Sequence, residues 1–110
     1  MYVPDRGDVV WLSFDPQVGR EQAGRRPALV LSPKAYNGKV GLILCCPITN
    51  RAKGYPFEVP IPDEAEVTGV ILSDHVRSLD WRGREARQIT RLPAQTLNEV
   101  LARIEALLRD

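Results

Sequence analysis

Enzymatic chemistry needs nucleophiles, acid–base groups, metal ligands or fixed charges, and this chain of 110 residues supplies them unevenly. It has one histidine, His75, so a mechanism that uses two imidazoles as acid and base is excluded by count. His75 stands beside Asp74 in a strand pattern, where a lone histidine is more often structural than catalytic, and it is left out of the candidate site. Cys45 and Cys46 are adjacent. Neighbours on a strand point to opposite faces, so the two thiols cannot hold one ion together and read as reduced, buried residues. Asp63, Glu64 and Glu66 fall in a turn pattern and read as a surface cluster. There is no GxxxxGK phosphate loop and no GxSxG elbow to expose a serine. The sequence implies neither a metal nor a cofactor.

What remains is arginine. Net charge is only +1, too small for a general attraction to nucleic acid, but it is unevenly distributed. From Gly19 to Lys39 five cations, Arg20, Arg25, Arg26, Lys34 and Lys39, stand against Glu21 alone. From Arg77 to Arg91 five arginines stand against two carboxylates, whereas Tyr55 to Glu66 is acidic. Guanidinium groups bind phosphate through paired donors and hold the charge that develops in phosphoryl transfer. RNA brings its own nucleophile, the 2′-hydroxyl, so a protein need supply only alignment, a base and charge stabilisation. On these residues alone RNA cleavage is one option among several, and ordinary solvated charged faces are another.

The elements that must position these residues are mostly strands. Short apolar runs broken by Gly, Pro, Asn and Asp place strands at Asp8 to Phe14, Ala28 to Leu31, Val40 to Ile48, Phe57 to Ile61, Gly69 to Leu72, His75 to Leu79 and Glu85 to Ile89. No helical period occurs in this part of the chain. Pro60 and Pro62 mark their strand as an edge. After Pro93, which suits a first helical residue, Leu97, Val100, Leu101, Ile104, Leu107 and Leu108 share one helix face and are expected to dock on the core. The fold class expected is mainly β with a C-terminal α-helix, an antiparallel sheet curled toward a small barrel, in one domain over 1–110. The longest irregular stretch, Asp15 to Arg26, is where binding residues are expected. No apolar run is long enough for a membrane span and no secretion signal is evident, so the expected location is cytoplasmic.

Gly19-Arg20-Glu21-Gln22-Ala23-Gly24-Arg25-Arg26-Pro27 with the strand behind it closely resembles the loop and second strand of the MazF and PemK family of toxin ribonucleases. The resemblance continues in order through Asp8 to Trp11, Pro47-Ile48-Thr49, Lys53 to Val59 and Leu72 to Leu79, and so covers nearly the whole chain. It implies an SH3-like β-barrel and a homodimer with single-stranded RNA (mRNA) along the interface. Cleavage would be metal-independent and leave 2′,3′-cyclic phosphate and 5′-hydroxyl ends. By position, Arg26 is the family's catalytic arginine and Thr49 its catalytic threonine, the first stabilising the phosphorane and the second holding a phosphate oxygen. Glu21 is the nearby carboxylate for the 2′ proton. Gln22, Arg25, Lys53 and Arg84 are expected to contact RNA. The family also implies a cognate antitoxin whose acidic, partly disordered segment covers the basic groove.

Alternatives stand beside each of these. Arg26 could be a loop arginine paired with Glu21 or Asp15, Thr49 an ordinary strand-end threonine, and Lys53 and Arg84 solvated charges. Trp11 could stack a base, but a tryptophan in a first strand is more often core. The sequence departs from the commonest family pattern at Asn50, which replaces a second hydroxyl residue, and at His75, which replaces glutamine. Two other functions compete: a gyrase-binding toxin of the CcdB type with the same barrel and no nuclease activity, and a small barrel that only binds nucleic acid.

Overall fold

A computed structural model describes residues 1–16 and 19–109; Gln17 and Val18, inside the expected Asp15 to Arg26 loop, and Asp110 lie outside the described residues. The elements run β1 (Asp8–Ser13), β2 (Arg25–Val30), α1 (Lys34–Val40), β3 (Leu42–Thr49), β4 (Glu58–Pro60), β5 (Val70–Leu72), β6 (Arg77–Asp80), β7 (Arg87–Arg91) and α2 (Ala94–Arg109). Each strand expected from the sequence is present within a few residues. The pairings are all antiparallel, in the order β4-β5-β3-β2-β1-β7. β3 is long enough to share one side between two partners, β6 along Leu42–Cys45 and β5 along Ile48–Thr49. β4 is the edge its prolines require.

The central strands read as nearly unbroken apolar runs because both faces of the sheet are covered. Val9, Leu29, Cys46 and Ile48 enter one core cluster, while Val10, Leu12, Ala28, Val30 and Cys45 enter the other. The adjacent thiols thus point to opposite faces, as the strand period demands. The first cluster is completed by Leu92 and Val100, with Leu97, Leu101 and Ile104 packed against it. The curled sheet does not close, since β4 and β7 end it without pairing each other. Helix α2 instead lays its apolar stripe against Val59 and Ile61.

Two expectations need correction. Leu107 and Leu108 do not join the core: they are 54% and 78% exposed, because a helix of 16 residues, about 24 Å long, outruns the sheet beneath it. The second is α1, where no helix was expected. Its sequence KAYNGKV has no amphipathic period, and what holds it is Asn37. The fully buried Asn37 amide donates to the Pro4 and Ser32 carbonyls at 2.8 and 2.9 Å and accepts from the Ser32 hydroxyl at 2.6 Å. The Asn37 carbonyl accepts from Trp81 Nε1 at 2.9 Å and from the Gly41 amide, which ends the helix at φ 83°.

Candidate active site

β2 begins three residues earlier than its apolar run suggests, so Arg25 and Arg26 are strand residues and not part of the loop. The register sets Ala28 opposite Pro47, Leu29 opposite Cys46 and Val30 opposite Cys45. Arg26 and Thr49, the last residue of β3, lie just beyond the last of these pairs. Both line a cleft of about 480 Å³ whose walls also include Trp11, Arg25, Asn50 and Glu66.

Within the cleft, Arg26 is half-buried and its Nε donates to the Ala23 carbonyl at 2.9 Å. Thr49 is 8% exposed, and its Oγ1 accepts from the Arg51 amide at 3.1 Å, which leaves the hydroxyl proton available to a ligand. Behind it lies Gly69, at φ 115°, where a Cβ would collide with the Thr49 carbonyl. That close approach fixes the end of β3, since only glycine permits it. Trp11 is 38% exposed and faces the cleft, contrary to the core reading; Val9 and Leu29, not the indole, fill that side of the core. Glu66 was read as part of a surface cluster, yet it lines this cleft as well.

Glu21 and Gln22 belong to a second depression of about 300 Å³, with Phe14, Pro47, His75 and Arg77 among its walls. The two hollows receive consecutive residues of β3, Pro47 and Ile48. The structure therefore brings Arg26 and Thr49 together and sets Glu21 and Gln22 apart from them. It also places His75, set aside on sequence grounds, in a concave wall. The signal that could have exposed His75 and Trp11 was the register with the loop, not residue type.

Arg25 and Arg84 are engaged elsewhere than in open solvent. Arg25 donates to the Arg84 and Glu85 carbonyls at 3.2 and 3.0 Å, and Arg84 Nη1 donates to the Ser13 and Asp15 carbonyls at 3.0 and 2.7 Å. Lys53 is exposed in the segment after β3, whose Lys53 and Gly54 amides donate to the Glu58 carboxylate; it lines neither hollow. Among the described residues no group of His, Cys, Asp and Glu could hold a metal, and no helix is long and apolar enough to cross a membrane. Burial pushes the Cys45 thiol up to about 12 and raises Cys46 as well, so neither is a reactive thiolate.

Comparison with known proteins identifies relatives of the whole chain. Residues 5–108 match the model of the PemK-like, MazF-like toxin of type II toxin-antitoxin systems. The chain is 49% identical over 107 residues to the endoribonuclease toxin MazF of Escherichia coli K12, covering 97% of this chain and 96% of the relative. The crystal structure of MazF from Deinococcus radiodurans superposes with a TM-score of 0.95 at 60% identity, covering 98% of each chain. A MazE–MazF complex from the same organism superposes with a TM-score of 0.90 at 60% identity, covering 98% of this chain and 97% of that one. A family match over residues 5–108, with a fold and sequence this close to those of its relatives, places the chain in the PemK-like, MazF-like family of toxins from type II toxin-antitoxin systems.

Proposed function

We infer that this chain is an endoribonuclease toxin that cuts single-stranded RNA, mRNA included, by attack of the ribose 2′-hydroxyl on the adjacent phosphorus. The observation that carries this reading is the placing of Arg26 and Thr49 on one cleft wall with donors available to a phosphate. The 2′-oxygen forms a bond to phosphorus and gives up its proton, the 5′-oxygen leaves and takes one up, and the products are a 2′,3′-cyclic phosphate and a 5′-hydroxyl. Arg26 stabilises the charge that accumulates on the non-bridging oxygens, and the Thr49 hydroxyl donates to one of them. No metal enters this scheme. Glu21 is assigned the 2′ proton because it belongs to the loop that delivers Arg26. Since it lines the neighbouring depression with Gln22, this role requires the Glu21 carboxylate to reach over to the 2′-oxygen beside the phosphate that Arg26 and Thr49 hold. Gln22 and Lys53 then contact flanking nucleotides, and Arg25 adds positive charge to the cleft wall.

The same reading makes the chain a cytoplasmic homodimer, with RNA along the interface, inhibited by a cognate antitoxin whose acidic segment competes for the arginine-bearing cleft. The MazE–MazF complexes of a toxin 60% identical to this one support the antitoxin. Incubating the purified chain with RNA in EDTA tests the activity: cleavage with 5′-hydroxyl ends is expected, and Arg26→Ala should slow it by about 10² to 10³. Intact RNA would point to the gyrase-binding alternative. Binding weakened by Arg26→Ala, with no cleavage by either protein, would point to the plain binding module.

A further inference from the structure

We propose that Arg25 and Arg84 form a reciprocal latch that positions Arg26, and that Arg84 serves the reaction through the backbone without touching RNA. This rests on the nuclease reading above. Four segments meet at the latch: the end of β1, the loop beyond it, the start of β2 and the turn between β6 and β7. Arg84 Nη1 donates to the carbonyls of Ser13 and Asp15, at the exit of β1. Arg25 returns the link, its two terminal nitrogens donating to the carbonyls of Arg84 and Glu85. Each arginine thus holds the backbone of the segment that carries the other or leads to it.

The loop's own bonds complete the frame. The Asp15 carboxylate accepts from the Gly24 amide at 2.7 Å, and the Phe14 amide donates to the Gly24 carbonyl at 2.9 Å. Gly24 adopts φ 74°, so the chain turns sharply there and enters β2 at Arg25. Arg26 follows directly, with its Nε tied to Ala23 one residue before that turn. Glu85, whose carbonyl receives Arg25, holds a left-handed conformation at φ 54°, which aims that carbonyl at the guanidinium and is costly for a residue with a Cβ. Charge-assisted bonds to four carbonyls from two partly exposed side chains are more than a solvated surface arginine makes, and they converge on the residue pair that opens the cleft.

Alignment of a reacting phosphate tolerates little displacement, a shift of 1 Å costing about a hundredfold. Removing either half of the latch should therefore slow the chemical step, and removing Arg84, which lies outside the cleft lining, should leave RNA affinity alone. The experiment uses the full chain, a transcript site it cuts, and the same RNA with a 2′-deoxy nucleotide at the scissile position as a binding probe. For Arg84→Ala and for Arg25→Ala we expect kcat to fall about a hundredfold when assayed well below a melting transition that drops by only a few degrees. The double variant should be no slower than the slower single variant, because both break one device. For Arg84→Ala the dissociation constant of the deoxy probe and its slope against log salt should also stay as they are. A uniform loss of affinity in Arg84→Ala, with the salt slope reduced by about 1, would mean that Arg84 binds a phosphate directly and would overturn the proposal. So would multiplicative effects in the double variant. If Arg84→Ala fails to fold, the same kcat test on Arg25→Ala decides. A wild-type chain that leaves every RNA intact refutes the nuclease reading instead, a result that none of the latch outcomes resembles.

Discussion

Arg26 and Thr49 line one cleft beyond the last β2–β3 pair, Ala28 with Pro47, the one half-buried with its Nε tied to a carbonyl, the other with a hydroxyl proton to give. If the two donors serve one phosphate, as proposed, their effects on rate should be coupled. Arg26→Ala and Thr49→Ala should each lower kcat by about 10² to 10³, with little change in melting temperature, and the double variant should lose less than the product of the two. Thr49→Ser, which keeps the hydroxyl, should recover most of the loss. Single-turnover cleavage of one transcript site measures all four. Full additivity would show that the two side chains act on separate steps.

Gly69 offers a way to move Thr49 without touching it. A Cβ at this position meets the Thr49 carbonyl and Asn50 Oδ1, and the backbone lies at φ 115°, where L side chains are strained. Gly69→Ala should cost about 1 to 3 kcal/mol of stability and push the end of β3 away from β5. Thermal melting should show a loss of roughly 4 to 8 °C per kcal/mol. Cleavage should fall further than the melting shift explains when assayed well below the transition. A variant with wild-type kcat would mean that β3 ends where it does for other reasons.

The strand positions and the C-terminal helix were legible because they follow two simple periods: apolar runs cut by turn residues, and the 3, 4, 7 spacing after Pro93. Arg26 and Thr49 were legible only through resemblance, since nothing in the residue types of either segment says that they meet. Three features escaped for physical reasons. The α1 helix is specified by one buried amide reaching Pro4 and Ser32, a tertiary effect that no local window of KAYNGKV contains. The start of β2 at Arg25 is set by pairing with Ser13, which recruits two charged residues into a ladder that hydropathy ends at Ala28. Trp11 looks like core because it is an indole in an apolar strand, yet its partners across the sheet are Pro27 on one side and Arg87 on the other. Neither neighbour covers the ring as a second apolar side chain would.

The buried thiols make stability depend on pH with a definite sign. Desolvation pushes Cys45 up to about 12 and raises Cys46, while the Tyr2 hydroxyl is raised by burial and by its 2.7 Å hydrogen bond to Asp8. In the unfolded chain the thiols ionise near about 8.5 and the phenol near about 10. The folded state holds all three neutral, so their contribution is fully present below about pH 8.5 and is lost as pH rises toward 12, because the unfolded chain releases protons that the folded one retains. Melting temperature should therefore fall between pH 7.5 and pH 10. Over the same interval the folded protein should resist alkylation by iodoacetamide, and denatured protein should react at both cysteines. Rapid labelling of native protein at pH 8 would show that one face of β3 opens to solvent, against the burial of Cys45 and Cys46 in two separate cores.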